Sequence, residues 1–206
     1  MNKFDEQILV VPRTQLFNNE TNAFNGFIGK DDARYDEIVG TFGGFEVKRR
    51  GDMEEDPSYK QLISYVIIRS QDDAETLVYK RLGGGGEERL HGLLSIGVGG
   101  HMNDVSEAED IKEKLFINAE RELSEEVDLS GSDLDQIEIL GLINDDDNEV
   151  GKVHIGLVLK VNVQKDSVKN MEADTLSLSW ENNQDLSSMS PYESWSELII
   201  RDAYER

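Results

Sequence analysis

Apolar and polar positions along the 206-residue chain change period several times, and each change marks an element. Residues 1–60 are mixed. One short β-like run, QILVVP, precedes the Asn-, Gly- and Asp-rich stretches NNETNAFNG and FGGFEVKRRGDMEEDPS. Short strands and loops are expected there, as an N-terminal extension ending near Pro57. From Gln61 the runs lengthen. LISYVIIR (62–69) and TLVYKR (76–81) read as strands joined by the polar turn SQDDAE, and HGLLSIGVGGH (91–101) as a third strand ending in a glycine pair. GGGG at 83–86 reads as a loop; without a following Gly-Lys-Ser/Thr it is no phosphate-cradling P-loop.

A helix comes next. Ser106 with Glu109 has capping-box spacing and predicts a start near Glu107. Ile111, Leu115, Ala119, Leu123 and Val127 recur every fourth residue, with Phe116 beside them, as one apolar stripe. QIEILGLIN (136–144) and VGKVHIGLVLKVNV (150–163) follow as strands around the acidic turn DDDNE (145–149), then the alternating strand TLSLSW (175–180). A last helix is expected to open at Ser190-Pro191, with Glu193 three residues after the serine. No internal repeat or long linker interrupts this order. The pattern predicts an α+β fold: a mixed sheet with helices packed on it.

Composition narrows the chemistry. There are no cysteines, which removes disulfides, thiolate metal sites and a cysteine nucleophile. The amino terminus has acids beside a four-residue apolar run, unlike a secretory signal, and no stretch approaches the roughly 20 apolar residues of a membrane span. A cytoplasmic protein with no membrane role is expected. The formal charge of −22, from 43 acids and 21 bases, disfavours nucleic acid as a partner. A small phosphorylated substrate would be repelled too, unless metal ions and placed arginines reverse the field locally. A homodimer is left open.

The acids are densest in AERELSEEVDL (119–129), where Glu120, Glu122, Glu125 and Glu126 fall on the helix. With Ile111 at zero, the apolar stripe runs from about 0° to 160°, and Glu122 and Glu126 come out near about 20° and 60°, on its edge; Glu125 sits near about 320°. Glu122 and Glu126 are an i, i+4 like-charge pair, and Arg121 is the one base within a turn. A solvated acidic face, or salt bridges to distant lysines, would account for such a run. A hard divalent cation among all-oxygen ligands, Mg²⁺ or Mn²⁺, accounts for it as well.

These residues resemble a known motif. RELSEEVDL (121–129), with Glu113 eight positions before Arg121, is similar to the box of the Nudix hydrolases. Glu113, Arg121, Glu122, Leu123, Glu125, Glu126 and Leu129 all match that family's pattern, and SIGVGGH occupies the place of its glycine-ended strand. The resemblance covers roughly residues 61–206, and a weaker likeness to a bacterial group of predicted phosphoesterases reaches ILVVPR and SYKQLISYV. It departs twice. Twelve residues separate Gly100 from Glu113, where the pattern has five, and Asp128 stands where it has a glycine. That position is expected to end the helix with positive φ, which Asp tolerates better than most residues.

The resemblance implies a MutT-like, Nudix-type α/β/α sandwich over residues 61–206, with residues 1–60 as an extension packed on it. It implies metal-dependent hydrolysis of a diphosphate linkage in a nucleoside-diphosphate-X substrate. Glu122, Glu125, Glu126 and the carbonyl of Gly100 would bind Mg²⁺ or Mn²⁺, Arg121 would pin the glutamates, and Glu122 or a later glutamate such as Glu172 would be the base. Lys80, Arg81 and Arg89 bracket the glycine loop, and Arg81 and Arg89 are the candidates for gripping substrate phosphates. The absence of cysteine disfavours the family's isoprenoid isomerases and its zinc-ribbon members; the charge disfavours messenger-RNA decapping. A catalytically silent nucleotide-binding module stays open as the alternative, and so does a cation-binding protein without a phosphate substrate. His91, His101 and His154 show no ligand spacing, and DDDNE is read as a hairpin turn, Trp180 and Trp195 as core or pocket wall.

Overall fold

The structure, a computed structural model, describes residues 2–82, 91–108, 110–131, 137–171 and 173–204. Among them ten strands form one mixed sheet: β1 (Gln7–Pro12), β2 (Gly26–Gly29), β3 (Glu46–Arg49), β4 (Tyr59–Ser70), β5 (Glu75–Arg81), β6 (Leu94–Ser95), β7 (Gly97–His101), β8 (Glu138–Asn144), β9 (His154–Val163) and β10 (Leu176–Asn182). Helices flank it on both faces, among them α1 (Ile111–Val127) and α2 (Ser194–Ile199), with a further six-residue helix at Tyr35–Gly40.

β4 organises the sheet. It is buried from Lys60 to Ile68, and its near-continuous apolar run suits a strand covered on both faces. One edge pairs in parallel with β9 from Gln61↔His154 to Ser70↔Val163. The other edge is shared along its length by three antiparallel partners: β1 at Tyr59–Gln61, β7 at residues 63–67 and β5 at Arg69. β8 and then β2 extend the sheet beyond β9, and β10 extends it beyond β5.

Alternation along the strands sends side chains to two layers. Leu62, Val66 and Ile68 join Leu115, Ala119, Leu123 and Val127 of α1 in the main core, while Tyr65 and Ile67 join Ile199 and Ile200 at the end of α2. The sheet therefore lies between the two helices, an α/β/α sandwich. Residues from the first sixty contribute to the same core: Leu9, Val11, Phe17, Phe24, Ile38 and Phe42 pack in the α1 layer.

A buried ionic network fastens this segment. Lys60, fully buried, donates from Nζ to Asp146 Oδ1 and to the Gly151 carbonyl, each at 2.7 Å. Arg13 donates two bonds to Asp146, at 3.0 and 2.9 Å, and two to Glu20 at 2.8 Å. Burial alone would push the Asp146 carboxyl up, but hydrogen bonds from Arg13 and Lys60 outweigh it and hold it at about 2. Desolvation dominates at Lys60, whose ammonium is brought down to about 8.

Three boundaries differ from the sequence pattern. α1 starts at Ile111, not near Glu107, because the Asp110 carboxylate accepts from the Glu113 N–H at 2.9 Å and so provides the cap; Glu109 lies outside the described residues. Residues 149–152 form a helical turn capped by Asn148, which accepts from the Gly151 N–H, and β9 begins at His154 rather than at residue 150. α2 begins at Ser194, after Pro191, because the Glu193 side chain accepts from the N–H groups of Trp195 and Ser196. The predicted third strand is broken into β6 and β7.

Candidate active site

α1 crosses the sheet where β7 ends. A Cβ at Gly100 would overlap the carboxyl group of Glu122, so the absence of a side chain lets this glutamate lie directly on the strand backbone. Its side chain keeps 13% exposure. Burial pushes the Glu122 carboxyl up, and the Arg121 guanidinium opposes that from 2.6 Å, while the charges of Glu125 and Glu6 add to it.

Arg121 also donates to the His101 carbonyl at 3.0 Å and lies 3.6 Å from Glu125 Oε2. It thus ties two glutamates to the strand that presents Gly100. Glu125 itself points outward, with 61% of its side chain exposed, and Glu126 is half-buried. One residue the sequence did not single out fixes this meeting of helix and strand. Asn118, 1% exposed, accepts from the Asn103 N–H at 2.9 Å and donates back to the Asn103 carbonyl at 3.0 Å. The only sequence signal was an amide, rather than a base, one turn before Glu122.

The end of α1 is held as firmly. Asp128 adopts φ 57°, the left-handed conformation expected where the motif has glycine, and the Leu129 N–H reaches back to the Leu123 carbonyl. The N–H groups of Lys169 and Met171 then take the carbonyls of Val127 and Glu126.

The remaining candidates are dispersed. Strand alternation puts Arg81 on the α1 side of β5 with Tyr79, and Lys80 on the other side. Arg89, the glycine loop 83–86 and Glu172 lie outside the described residues. His101 and His154, distant in sequence, meet across β4 with their Nε2 atoms 3.1 Å apart; His101 contacts Gln61 Oε1 at 2.8 Å and His154 the Val150 carbonyl at 2.6 Å. Alternation along β7 turns His101 away from Glu122, which lies on the Gly100 face. Trp195 packs edge-to-face on Tyr65 in the α2 layer. A cleft of about 780 Å³ between the 145–148 turn and residues 187–201 also lies on the α2 side, apart from the glutamates.

The donors gathered around Gly100 are all oxygens, a set that fits Mg²⁺ or Mn²⁺ in chemistry. Among the described residues no three acidic or histidine side chains already converge as an ion cage, and Glu122 is engaged by Arg121.

A mixed sheet between two helices, with a carboxylate-bearing helix set against a glycine-ended strand, is the architecture of a Nudix-type sandwich. Comparison with known proteins agrees. The protein YmaB of Bacillus subtilis (strain 168) is 42% identical over 205 residues, 97% of this chain and 98% of its own. The crystal structure of Tm1382, assigned as a Nudix hydrolase, is 30% identical with a TM-score of 0.76, covering 97% of this chain and 99% of that one. The Nudix domain of Shewanella oneidensis NrtR, solved with ADP-ribose, shares the fold at 16% identity and TM-score 0.51, over 71% of this chain and 87% of that one. No family model matches the chain. The chain belongs to the Nudix hydrolases. No helix among the described residues is long and apolar enough to cross a membrane.

Proposed function

We propose that the protein hydrolyses the diphosphate linkage of a nucleoside-diphosphate derivative in the presence of Mg²⁺ or Mn²⁺. The observation that carries this reading is the Glu122 carboxylate seated on the bare backbone of Gly100, with Arg121 beside it and Glu126 one turn on. Glu122, Glu125, Glu126 and the Gly100 carbonyl would hold the cation. When bound, it would offset the charge of the diphosphate and acidify water.

The chain's own groups do the rest. Arg121 orients Glu122 by a charge-assisted bond toward the attacking water. Glu122 takes a proton from that water at a carboxylate oxygen; its desolvation raises its proton affinity toward that task. The water oxygen forms a bond to phosphorus as the bridging P–O bond breaks, and the departing phosphate keeps the electron pair. Arg81, on the α1 side of β5, grips the phosphate beyond.

The test is phosphate release, after coupling to a phosphatase, from nucleotide sugars, dinucleotides, ADP-ribose and nucleoside triphosphates. Turnover by wild type that is lost with chelator and falls at least about 100-fold in Glu126→Gln supports the enzyme. Binding of a nucleotide without turnover across the panel moves the assignment to a silent recognition module.

A further inference from the structure

Asn118 is buried in α1, and a buried amide is tolerated only where its hydrogen bonds are met. Here its oxygen and both of its amide hydrogens have partners. Oδ1 accepts from the Asn103 N–H at 2.9 Å, and Nδ2 donates to the Asn103 carbonyl at 3.0 Å and to the Lys114 carbonyl at 2.9 Å. Asn103 lies between Gly100 and Glu113, in the stretch that is longer than the family's pattern. That stretch leaves β7 held from several sides. The carbonyls of His101, Met102 and Asn103 are taken in turn by Arg121 at 3.0 Å, by the Leu9 N–H of β1 at 2.8 Å and by Asn118. The Asn103 side chain donates in turn to the Gln7 carbonyl of β1 at 2.9 Å. Lys114, one turn before Asn118, holds the next residues through Asp104, at 2.9 Å, and the Val105 carbonyl. A path of hydrogen bonds thus runs from β1 through Asn103 and Asn118 into α1, one turn from Glu122.

We propose that Asn118 and Asn103 are positioning residues of the glutamate site: together they dock α1 on the end of β7 and on β1, and so fix how closely Glu122 seats on the Gly100 backbone. The inference rests on the reading of those glutamates as a cation site. The seat leaves little room for error. A Cβ at Gly100 would already overlap the Glu122 carboxyl, so a displacement of α1 by about 1 Å changes the donor set that a cation meets. Apolar packing cannot fix the helix that finely. The stripe of Leu115, Ala119, Leu123 and Val127 is attracted to the sheet without direction, whereas a donor and an acceptor paired with one backbone residue admit a single register. The same bonds account for the tolerated extra length. Asn103 is anchored three residues after Gly100, so the added residues fall beyond the anchor and leave the seat undisturbed. The segment before residue 60 thereby belongs to the frame of the site, through β1.

The probe is Mn²⁺ alone, its free concentration read from the EPR signal of the aqueous ion, on the full chain well below each variant's melting temperature. Asn118→Ala removes the clasp. Asn103→Ala removes the bond to Gln7 and keeps the backbone groups that Asn118 holds. Glu126→Gln locates the ion at the glutamates, and Leu115→Ala, in the core under the same helix, lowers stability without removing a hydrogen bond. A residue that only supports the fold moves the melting temperature and leaves the Mn²⁺ affinity of the folded protein alone. The expected result is affinity weaker by about 10- to 100-fold in Asn118→Ala and by about 3- to 10-fold in Asn103→Ala, and within about twofold of wild type in Leu115→Ala. Unchanged affinity in either asparagine variant overturns the proposal, while its loss in Glu126→Gln leaves the cation reading standing. Equal weakening by Leu115→Ala overturns it too, because any loosening of α1 would then suffice. If Asn118→Ala does not fold, Asn103→Ala decides alone. Mn²⁺ that binds wild type and Glu126→Gln alike, or a wild type that binds none, overturns both the proposal and the cation reading.

Discussion

At the scale of single residues, burial decides which charges matter. Asp146 is the case with a clear pH signature. Its carboxyl is lowered from 3.8 to about 2 by Arg13 and Lys60, so the folded state holds that proton less tightly than the unfolded chain. The stability it contributes is full above about pH 4 and is lost as pH falls through about 2. Asp146→Ala leaves the Lys60 ammonium buried without its anion and is expected to cost about 3 kcal/mol near neutrality. Urea denaturation across the acid range checks this: the gap between wild type and variant should close toward pH 2. A gap that stays constant down to that pH would show that Asp146 packs rather than pairs. None of this was legible in DDDNE, where three aspartates, an asparagine and a glutamate read as one polar turn. The segment is a turn at 145–148, yet one of its carboxylates is the anchor for a lysine and an arginine from elsewhere in the chain.

At the scale of elements, α1 was the most legible part of the molecule and its ends the least. A fourfold apolar stripe and a glutamate set at its edge are local properties, visible in any seventeen-residue window. The cap is a competition. Ser106 and Asp110 both offer an oxygen, and Asp110 wins because it stands three residues before the Glu113 N–H. Asp110→Ala should cost about 1 kcal/mol in chemical denaturation, whereas Ser106→Ala should cost little. Asp128→Gly should stabilise by up to about 1 kcal/mol, since it relieves a left-handed residue and gives up only an exposed pair with Lys169. A loss of stability there would mean that the Lys169 pair matters more than the backbone. Most strands were legible too, because period-two alternation is also local. β2 and β3 were not: four residues each, two of them glycines in β2, carry no period.

At the scale of the whole molecule, the pairing of strands distant in sequence is what local reading describes least well. The change of texture at residue 60 is real in composition, yet β1 and β2 are hydrogen-bonded on either side of it, to β4 and β8. Which strand lies beside which depends on contacts across long stretches of chain, and a single sequence shows only what lies close along it. The same limit applies at the site: Gly100 and Glu122 were joined only through the motif's resemblance, and the clasp of Asn118 on Asn103 that holds helix and strand together shows in no local pattern. Residues 61–206 expressed alone should therefore fail to give a cooperative thermal transition, because β4 would lose β1 and the core would lose Leu9, Val11 and Phe17. A sharp transition in that fragment would instead define a self-sufficient domain. The two edges of β4 also differ in when they can be closed. On a ribosome, β1, β5 and β7 are made within a few tens of residues of β4, whereas β9 emerges about 90 residues after the β4 residues it pairs with. For that interval the central strand of the finished protein is an open template for other nascent chains. A net charge of −22, spread over the chain from its first acid onward, makes those neighbours repel one another while the last partner is still being synthesised.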